Sequence, residues 1–122
     1  MNELQKMTGN QILKGSFDKA ILAVGSCENH GLHLPHGNDT FVSHMLSQKI
    51  ADQVDGLLVL PPITVGYSQH YAHFPFTLNI SCETLTAVLK DIMHSVIRNG
   101  IKKIFIMNGH DGNIAPIEIA TR

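Results

Sequence analysis

The 122-residue chain has no tryptophan and only two cysteines, and charged residues make up only 16% of it. Two cysteines, Cys27 and Cys82, are too few for the disulfide framework of a small secreted protein, and they fit a reduced compartment. No apolar run approaches the roughly 20 residues that a membrane-spanning helix needs. The first residues lack the apolar segment of a signal peptide. We therefore expect a cytoplasmic protein with no membrane partner.

An excess of basic residues is also lacking. Nine lysines and arginines stand against ten acidic residues, so the formal net charge is −1. Surfaces that bind nucleic acid are normally basic, and the composition therefore argues against a nucleic-acid partner. The hydrophobic fraction of 43% is typical of a globular chain. A chain of this length can form one hydrophobic core, which predicts a single domain over residues 1–122.

Short apolar runs alternate with longer amphipathic segments along the chain. The runs predict buried strands over 20–25, 57–60 and 103–107. The amphipathic segments, together with their start and stop residues, predict three helices, which are 40–54 capped by Asp39, 81–98 capped by Ser81, and one that begins near Ile114. Residues 2–15 predict a short helix or arm, and residues 63–80 a long irregular loop.

The helix over 40–54 carries large apolar residues that recur at spacings of three and four, as is typical of an amphipathic helix. These residues are Phe41, Val42, Met45, Leu46, Ile50 and Val54. The alternation of strands and helices implies right-handed crossovers. The predicted fold class is therefore α/β, a three-layer α/β/α arrangement with a mainly parallel sheet.

Histidines and carboxylates are concentrated in the segment after the first predicted strand. Glu28, His30, His33, His36 and Asp39 lie within twelve positions there. Carboxylates and imidazoles are the side chains that bind zinc, manganese and iron. Glu28 and His30 are two positions apart, so an extended backbone points both side chains to one side. We expect His33 beside the ligands or in the pocket wall, and His36 in the loop.

Further polar side chains follow the other two predicted strands. Ser68, His70 and His73 come after the second strand, and His110 and Asp111 come after the third. The carboxyl ends of parallel strands meet at one edge of the sheet, where ligands bind in α/β folds. The sequence therefore predicts a metal site at this edge for one or two ions, with four ligands, Glu28, His30, Asp39 and His110.

A nucleophilic site is the alternative that these residues leave open. The thiol of Cys27 could form a pair with His30 or His33, because an imidazole can activate a thiolate. The negative charge of the adjacent Glu28 disfavours that thiolate. A phosphate-binding loop is not supported, since the first strand is not followed by the glycine pattern G-x-G-x-x-G.

Three ordered motifs resemble those of the creatininase (creatinine amidohydrolase) family. The first, G-S-x-E-x-H-G-x-H-L-P-x-x-x-D in the family, corresponds to Gly25–Asp39. The second, G-x-S-x-x-H followed by F-P-G-T, is similar to Gly66–His70 and Phe74–Thr77. The third, N-G-H-G-G-N, is similar to Asn108–Asn113. The resemblance covers residues 25–113 and corresponds to the N-terminal half of family chains.

The resemblance implies a centre of two divalent ions in an α/β amidohydrolase. Glu28 and His110 would bind one ion and His30 the other, with Asp39 as the bridge. A metal-bound hydroxide would attack the carbonyl carbon of a non-peptide C–N amide bond, in a cyclic amide or formamide of a small molecule. The ions would be zinc, manganese or iron.

The family also implies a substrate pocket and an assembly. Ser68, His70 and the backbone at Asp111 would line the pocket. Family members form ring-like homo-oligomers, commonly hexamers, so a homo-oligomer is expected.

Two positions depart from the family pattern. Creatininase proper has a glutamate ligand where this chain has Gly112, and a glycine where this chain has Phe76. The first difference favours another branch, the deformylases of pyrimidine-nucleotide intermediates in flavin and deazaflavin synthesis. There a glutamate from a later segment is expected to complete the ligands. A non-catalytic fragment or assembly module that keeps the fold is the other alternative.

Overall fold

The computed structural model describes residues 1–122, and four parallel strands form its sheet in the order β1-β3-β2-β4. Short 3-10 helices lie at Leu4–Lys6, Gln69–Tyr71 and Asp111–Asn113. The main elements in chain order are β1 Asn2–Glu3, α1 Gly9–Lys14, β2 Lys19–Val24, α2 Asn38–Ala51, β3 Leu57–Val59, α3 Cys82–Arg98, β4 Lys103–Asn108 and α4 Ile114–Thr121.

Helices cover both faces of the sheet. On one face, α2 packs through Ala51 against Ile21 of β2 and Val59 of β3. On the other face, α3 buries Leu85 and Leu89 against the alternate residues of β2. The alternation of side chains along a strand explains why β2 contributes to both layers. The predicted α/β class with three layers is confirmed.

The neighbouring strands β2 and β4 end at the same level. β2 and β4 pair in register from Lys19↔Lys103 to Val24↔Asn108. The next backbone bond, from the Gly109 amide to the Val24 carbonyl, spans 2.8 Å. The residues that follow both strands therefore leave the sheet side by side.

α3 and α4 match the sequence prediction. Ser81 accepts a hydrogen bond from the Thr84 amide at 3.1 Å, as expected of an N-cap. The helix ends at Arg98, and Gly100 follows with a φ of 89°. α4 begins at Ile114, where the sequence places it.

The N-terminal segment differs from the predicted helix or arm. Residues Asn2–Glu3 form a strand that pairs with β3, and only Gly9–Lys14 is α-helical. A two-residue strand is too short to produce a hydrophobic period, so the pattern could not indicate it. The helix has a reciprocal capping box between Thr8 and Gln11.

α2 begins earlier than predicted, and Asp39 is not its cap. The N-cap is Gly37, and the helix runs from Asn38 to Ala51 rather than from 40 to 54. The Asp39 carboxylate instead accepts a hydrogen bond from the Ser26 hydroxyl at 2.8 Å. The Asp39 side chain is therefore held toward the end of β2 rather than on the backbone of its own helix.

The large apolar residues of α2 do not form its buried face. Small and polar residues such as Ser43, Ser47 and Ala51 face the sheet. The Ser43 and Ser47 hydroxyls are satisfied within the helix, on the carbonyls of Asp39 at 2.7 Å and Ser43 at 2.9 Å. Small side chains allow the helix to approach the sheet closely, and its large apolar residues are left exposed. These are Phe41, Val42, Met45, Leu46 and Ile50, with Val54 just after the helix.

No helix combines the length and apolar character needed to cross a membrane.

Candidate metal centre

The proposed ligands come from the ends of β2 and β4 and from the first turn of α2. Glu28 lies four residues beyond β2, and its amide donates to the His36 carbonyl at 3.1 Å, which closes the loop. Asp39 is the second residue of α2, and His110 follows β4 by two positions. The parallel register described above brings these segments together.

Glu28, Asp39 and His110 form a compact buried group. The His110 Nδ1 atom lies 3.1 Å from Glu28 Oε1 and 3.2 Å from Asp39 Oδ2. One ligand atom from each residue lies within 4.8 Å of the others. All three residues are at most 8% exposed. This is the spacing that allows three side chains to contact a single ion.

His30 lies on the other side of Asp39. Its Nε2 atom is 2.9 Å from Asp39 Oδ1, whereas His110 approaches Asp39 Oδ2. The two oxygens of one carboxylate therefore face two different imidazoles. His30 itself is partly exposed.

Both histidines direct their second ring nitrogen to a backbone carbonyl. His110 Nε2 lies 3.0 Å from the Tyr67 oxygen, and His30 Nδ1 lies 3.0 Å from the Glu28 oxygen. A carbonyl can only accept, so these nitrogens carry the donated protons. The opposite nitrogens then present lone pairs to carboxylates, which requires a cation or a further proton between them. Orientation by a backbone carbonyl is the usual arrangement for metal-binding histidines.

The pKa values respond to this crowding. Burial opposes the charged form of His30, but the Glu28 carbonyl and the Asp39 charge outweigh it and raise the His30 pKa above its ordinary value of 6.5. Burial also opposes ionisation of Asp39. Hydrogen bonds from Ser26 and Asn38 nevertheless hold the Asp39 pKa below its ordinary value of 3.8. The site thus favours a negative Asp39 with positive charge beside it.

One carboxylate oxygen in this group has no protein partner. Glu28 Oε2 is buried and accepts no hydrogen bond. An ionised carboxylate is costly to bury without a compensating charge or hydrogen bond. The orphaned oxygen and the mixed carboxylate and imidazole donors together fit a divalent ion such as zinc, manganese or iron.

A cleft of about 350 Å³ opens beside the group. It is lined by the three residues that the family resemblance places at the substrate pocket, Ser68, His70 and Asp111. Ser68 is buried and its hydroxyl lies 3.4 Å from His110 Nε2. The full lining is Glu28, Ser68, His70, Tyr71, His110, Asp111 and Gly112.

Other candidates from the sequence lie outside this group. His33 is exposed, and His36 contacts the Pro75 carbonyl at 3.2 Å as a loop residue. The ring of His73 stacks on Phe74, with the centroids 4.3 Å apart. Cys27 is a free thiol, and both ring nitrogens of His30 are engaged elsewhere. The structure thus offers no imidazole partner from His30 for a nucleophilic thiol.

Sequence reasoning missed the residues that fix the ligands. Ser26 holds Asp39 and is fully buried. The Asn113 side chain, also fully buried, donates to the Gly25 carbonyl at 2.9 Å and accepts from the Tyr67 amide at 3.0 Å. It therefore ties the end of β2 to the loop that holds His110. Ser26 and Asn113 both lie within the sequence motifs described above, and this position was the signal that could have pointed to them.

Comparison with known proteins identifies the family. The family model of creatininase, described as creatinine amidohydrolase, matches residues 5–122. The chain belongs to the creatininase family. Its parallel sheet with helices matches the creatininase α/β fold.

Relatives and solved structures support this membership. A creatinine amidohydrolase from Pseudomonas putida is 31% identical over 84% of this chain and 42% of its own length. A 3-dehydro-scyllo-inosose hydrolase from Thermotoga maritima is 33% identical over 94% of this chain and 38% of its own length. A solved structure named creatininase Mn has a TM-score of 0.83 and 28% identity, over 98% of this chain and 51% of that one.

The substrates named for relatives vary. One relative is a mycofactocin precursor peptide peptidase from Mycobacterium ulcerans, 29% identical over all of this chain and 51% of its own length. Another is a 2-amino-5-formylamino-6-ribosylaminopyrimidin-4(3H)-one 5'-monophosphate deformylase from Methanococcus maripaludis. It is 28% identical over 93% of this chain and 50% of its own length. The present chain spans about half the length of the curated relatives it matches.

Proposed function

We propose that this chain forms the metal-binding part of a metal-dependent amidohydrolase. Glu28, Asp39 and His110 would hold one divalent ion, and His30 and Asp39 a second. The observation that carries the proposal is the group of three buried ligand atoms within 4.8 Å of one another. The orientation of both imidazoles by backbone carbonyls supports it.

The proposed reaction is hydrolysis of a C–N amide bond in a small molecule, a cyclic amide or a formamide. Water adds to the carbonyl carbon, the C–N bond breaks, and the amine leaves with a proton. When bound, divalent ions of this kind polarise the carbonyl group and lower the pKa of water from 15.7 towards about 7. The ions would be zinc, manganese or iron, which such ligands do not distinguish strongly.

The residues of the chain supply orientation. The Tyr67 carbonyl fixes the ring proton of His110 on Nε2, so that Nδ1 remains a ligand. The Ser26 hydroxyl holds one Asp39 oxygen in place. In the cleft, Ser68, His70 and the backbone at Asp111 would contact the substrate, because these residues line the space next to the ligands.

We also propose that copies of this chain associate into a homo-oligomer, up to the family's hexamer. The exposed apolar side chains of α2, among them Phe41 and Met45, support this because patches of that kind mark interfaces. A cytoplasmic location, and the absence of nucleic acid from its partners, stay predictions from composition.

Two alternatives stand beside this proposal. The named deformylase relative, together with Gly112 in place of the glutamate of creatininase proper, favours a formamide of a pyrimidine nucleotide as substrate. A module that binds metal or assembles without catalysis is the other alternative, and the activity assay distinguishes it from the amidohydrolase.

The test measures metal and activity separately. Purified protein is dialysed against Zn²⁺, Mn²⁺ or Fe²⁺, and bound metal is determined by mass spectrometry. Loaded protein is then assayed with creatinine, a formylaminopyrimidine nucleotide and a short peptide. Bound metal with turnover of the first or second compound supports the amidohydrolase. Bound metal without any turnover supports the non-catalytic module.

A single substitution provides the decisive control. Asp39→Asn should lose bound metal and any hydrolysis together, since Asp39 contacts both imidazoles. His94→Ala removes an exposed histidine of α3 and should change neither. Full metal content in Asp39→Asn would contradict the assignment of Asp39.

A further inference from the structure

The peptide group between Tyr67 and Ser68 is held on both of its edges. Its carbonyl oxygen, which belongs to Tyr67, lies 3.0 Å from His110 Nε2. Its amide, which belongs to Ser68, donates to Asn79 Oδ1 at 2.7 Å. A trans peptide group is planar, and its oxygen and hydrogen point in opposite directions. Asn79 and His110 therefore lie on opposite sides of one rigid unit.

Asn79 belongs to the segment that leads into α3, and it is partly buried. The neighbouring Ile80 amide donates to the Gly66 carbonyl at 3.1 Å, so this segment runs against the one that contains Tyr67. The amide of Tyr67 donates to Asn113 Oδ1 at 3.0 Å. Hydrogen bonds thus fix the peptide groups on both sides of Tyr67, and two of their four partners are asparagine side chains.

The bond from Ser68 to Asn79 also strengthens the bond on the opposite edge of the peptide group. An acceptor at the amide hydrogen shifts electron density toward the carbonyl oxygen, and hydrogen bonds linked in this way polarise one another. The Tyr67 oxygen consequently becomes a better acceptor for the ring proton at His110 Nε2.

The other ring nitrogen of His110 offers a competing place for that proton. His110 Nδ1 lies 3.1 Å from Glu28 Oε1 and 3.2 Å from Asp39 Oδ2, and both carboxylates can accept. The Ser68 hydroxyl, 3.4 Å from Nε2, is a more distant partner than the Tyr67 carbonyl. The placement of that carbonyl therefore decides which nitrogen keeps the proton. A proton on Nδ1 would block this atom as a metal ligand.

We propose that Asn79 is a positioning residue for His110 and that it acts through the peptide group between Tyr67 and Ser68. By accepting from the Ser68 amide, Asn79 holds the Tyr67 carbonyl toward His110 Nε2 and so keeps Nδ1 available to a metal ion. The role rests on the proposed function, because it assigns the support on which the His110 ligand depends.

Nitrogen NMR of the metal-free 122-residue protein tests this role. The spectra are recorded at about pH 8, above the ordinary histidine pKa of about 6.5. The ¹⁵N shift of each ring nitrogen reports whether it carries a proton, and His110→Gln identifies the signals. We expect a protonated Nε2 in the unmodified protein. Asn79→Ala should move the Nε2 signal toward that of an unprotonated nitrogen. Asn79→Asp keeps an acceptor for the Ser68 amide and should restore the signal, which a role in packing alone would not produce.

Two variants serve as matched controls. Gln69→Ala removes the partner of the Asn79 side-chain amide, which donates to Gln69 Oε1 at 2.9 Å, and leaves the bond from Ser68 intact. Asn99→Ala removes an exposed asparagine whose side chain donates to a carbonyl of α3 at 2.8 Å. Neither variant should move the His110 signal.

Zinc binding provides a second measurement. Groups that orient metal ligands typically cost roughly 10–100-fold in affinity when they are removed. In equilibrium dialysis with Zn²⁺, we expect the Kd of Asn79→Ala to be about tenfold higher than that of the unmodified protein. The Kd of Asn79→Asp should remain close to the unmodified value.

Three results would overturn the role of Asn79. They are an unchanged Nε2 signal in Asn79→Ala, the same change in Gln69→Ala, and failure of Asn79→Asp to restore the signal. Far-UV circular dichroism checks that the variants are folded. If Asn79→Ala does not fold, hydrogen exchange of the Ser68 amide in the unmodified protein decides. Slow exchange supports the bond to Asn79, and exchange as fast as that of an exposed loop amide overturns it.

Failure of the proposed function is distinguishable from failure of this role. Unmodified protein that binds no zinc would contradict the metal centre. The nitrogen spectra of the metal-free protein would still decide whether Asn79 positions His110.

Discussion

Asp39 concentrates the chemistry of the site in one side chain. Its Oδ1 contacts His30 and the side-chain amide of Asn38. Its Oδ2 contacts Ser26 and His110. A carboxylate with partners on both oxygens cannot rotate without breaking several contacts. Such a residue is suited to bridge two ions at fixed positions.

Phe76 is the one residue other than glycine with a positive φ, at 55°. It is the third residue of a tight turn in which the Thr77 amide donates to the Phe74 carbonyl at 3.3 Å and Pro75 is second. Proline second and a positive φ third are features of a type II turn, which normally has glycine there. A bulky side chain in this conformation is strained.

Phe76→Gly should therefore stabilise the protein. The ring is 87% exposed, so its removal loses little packing. Relief of the left-handed conformation exceeds the entropy that glycine adds to the unfolded chain, and we expect a net gain of about 0.5–1 kcal/mol. Urea unfolding followed by circular dichroism measures it. Leu32→Gly, at an exposed residue without positive φ, is the control and should give no gain. Destabilisation by Phe76→Gly would mean that the ring has a partner.

At this scale the sequence predicts ligand types but not their supports. Glu28, Asp39 and His110 could be found because titratable side chains cluster after strand ends. The Tyr67 carbonyl could not, since every residue has one and only the folded backbone brings it 3.0 Å from His110. The contact of Ser26 with Asp39 likewise depends on where α2 begins.

Helices α2 and α3 show what periodicity can predict. Both carry apolar residues at helical spacing, and for α3 this stripe is the buried face, as Leu85 and Leu89 show. For α2 the stripe is exposed, because Ser43 and Ser47 form the face that approaches the sheet. Periodicity therefore locates a helix and its faces. It does not determine which face lies on the sheet when both are able to pack.

A buried network connects β1 with α2. Glu3 accepts hydrogen bonds from Lys6 and from Gln48, each at 2.6 Å, and lies 3.4 Å from His44. The bonds from Lys6 and Gln48 outweigh the effect of burial and hold the Glu3 pKa below its ordinary value of 4.5. The negative form of Glu3 is thus favoured by folding.

Glu3→Gln should destabilise the protein by an amount that depends on pH. A lowered pKa in the folded state contributes stability above the ordinary value of 4.5, and this is lost as pH falls through the lower folded value. We expect a loss of about 1 kcal/mol at pH 7, since Lys6 is largely exposed. The difference from the unmodified protein should shrink below about pH 4.5.

Urea unfolding of both proteins between pH 3 and pH 8 measures this difference. Glu118→Gln, at an exposed position of α4, serves as the matched control and should show no pH-dependent difference. A Glu3→Gln penalty that stayed constant down to pH 3 would contradict a role for the charge.

At the scale of the whole molecule, one side remains apolar. The exposed face of α2 adjoins a groove of about 340 Å³ that is lined by Ile50, Val54, Phe105 and Met107 among others. β4 forms the edge of the sheet beside it and pairs with β2 alone. Contiguous apolar surface of this kind marks a protein–protein contact, and an open edge strand can pair with another chain. A second copy of the chain can satisfy both.

We therefore expect the purified chain to self-associate through α2, and light scattering after size exclusion measures its mass. Phe41→Glu combined with Met45→Glu should reduce that mass to the monomer, because two negative charges would have to be buried in an apolar contact. Leu13→Glu is the control: Leu13 is 86% exposed on α1 and away from this face, so the mass should not change. Monomeric unmodified protein at about 100 μM, well above the Kd of most specific interfaces, would contradict the expectation. An oligomer unaffected by the double substitution would place the contact elsewhere.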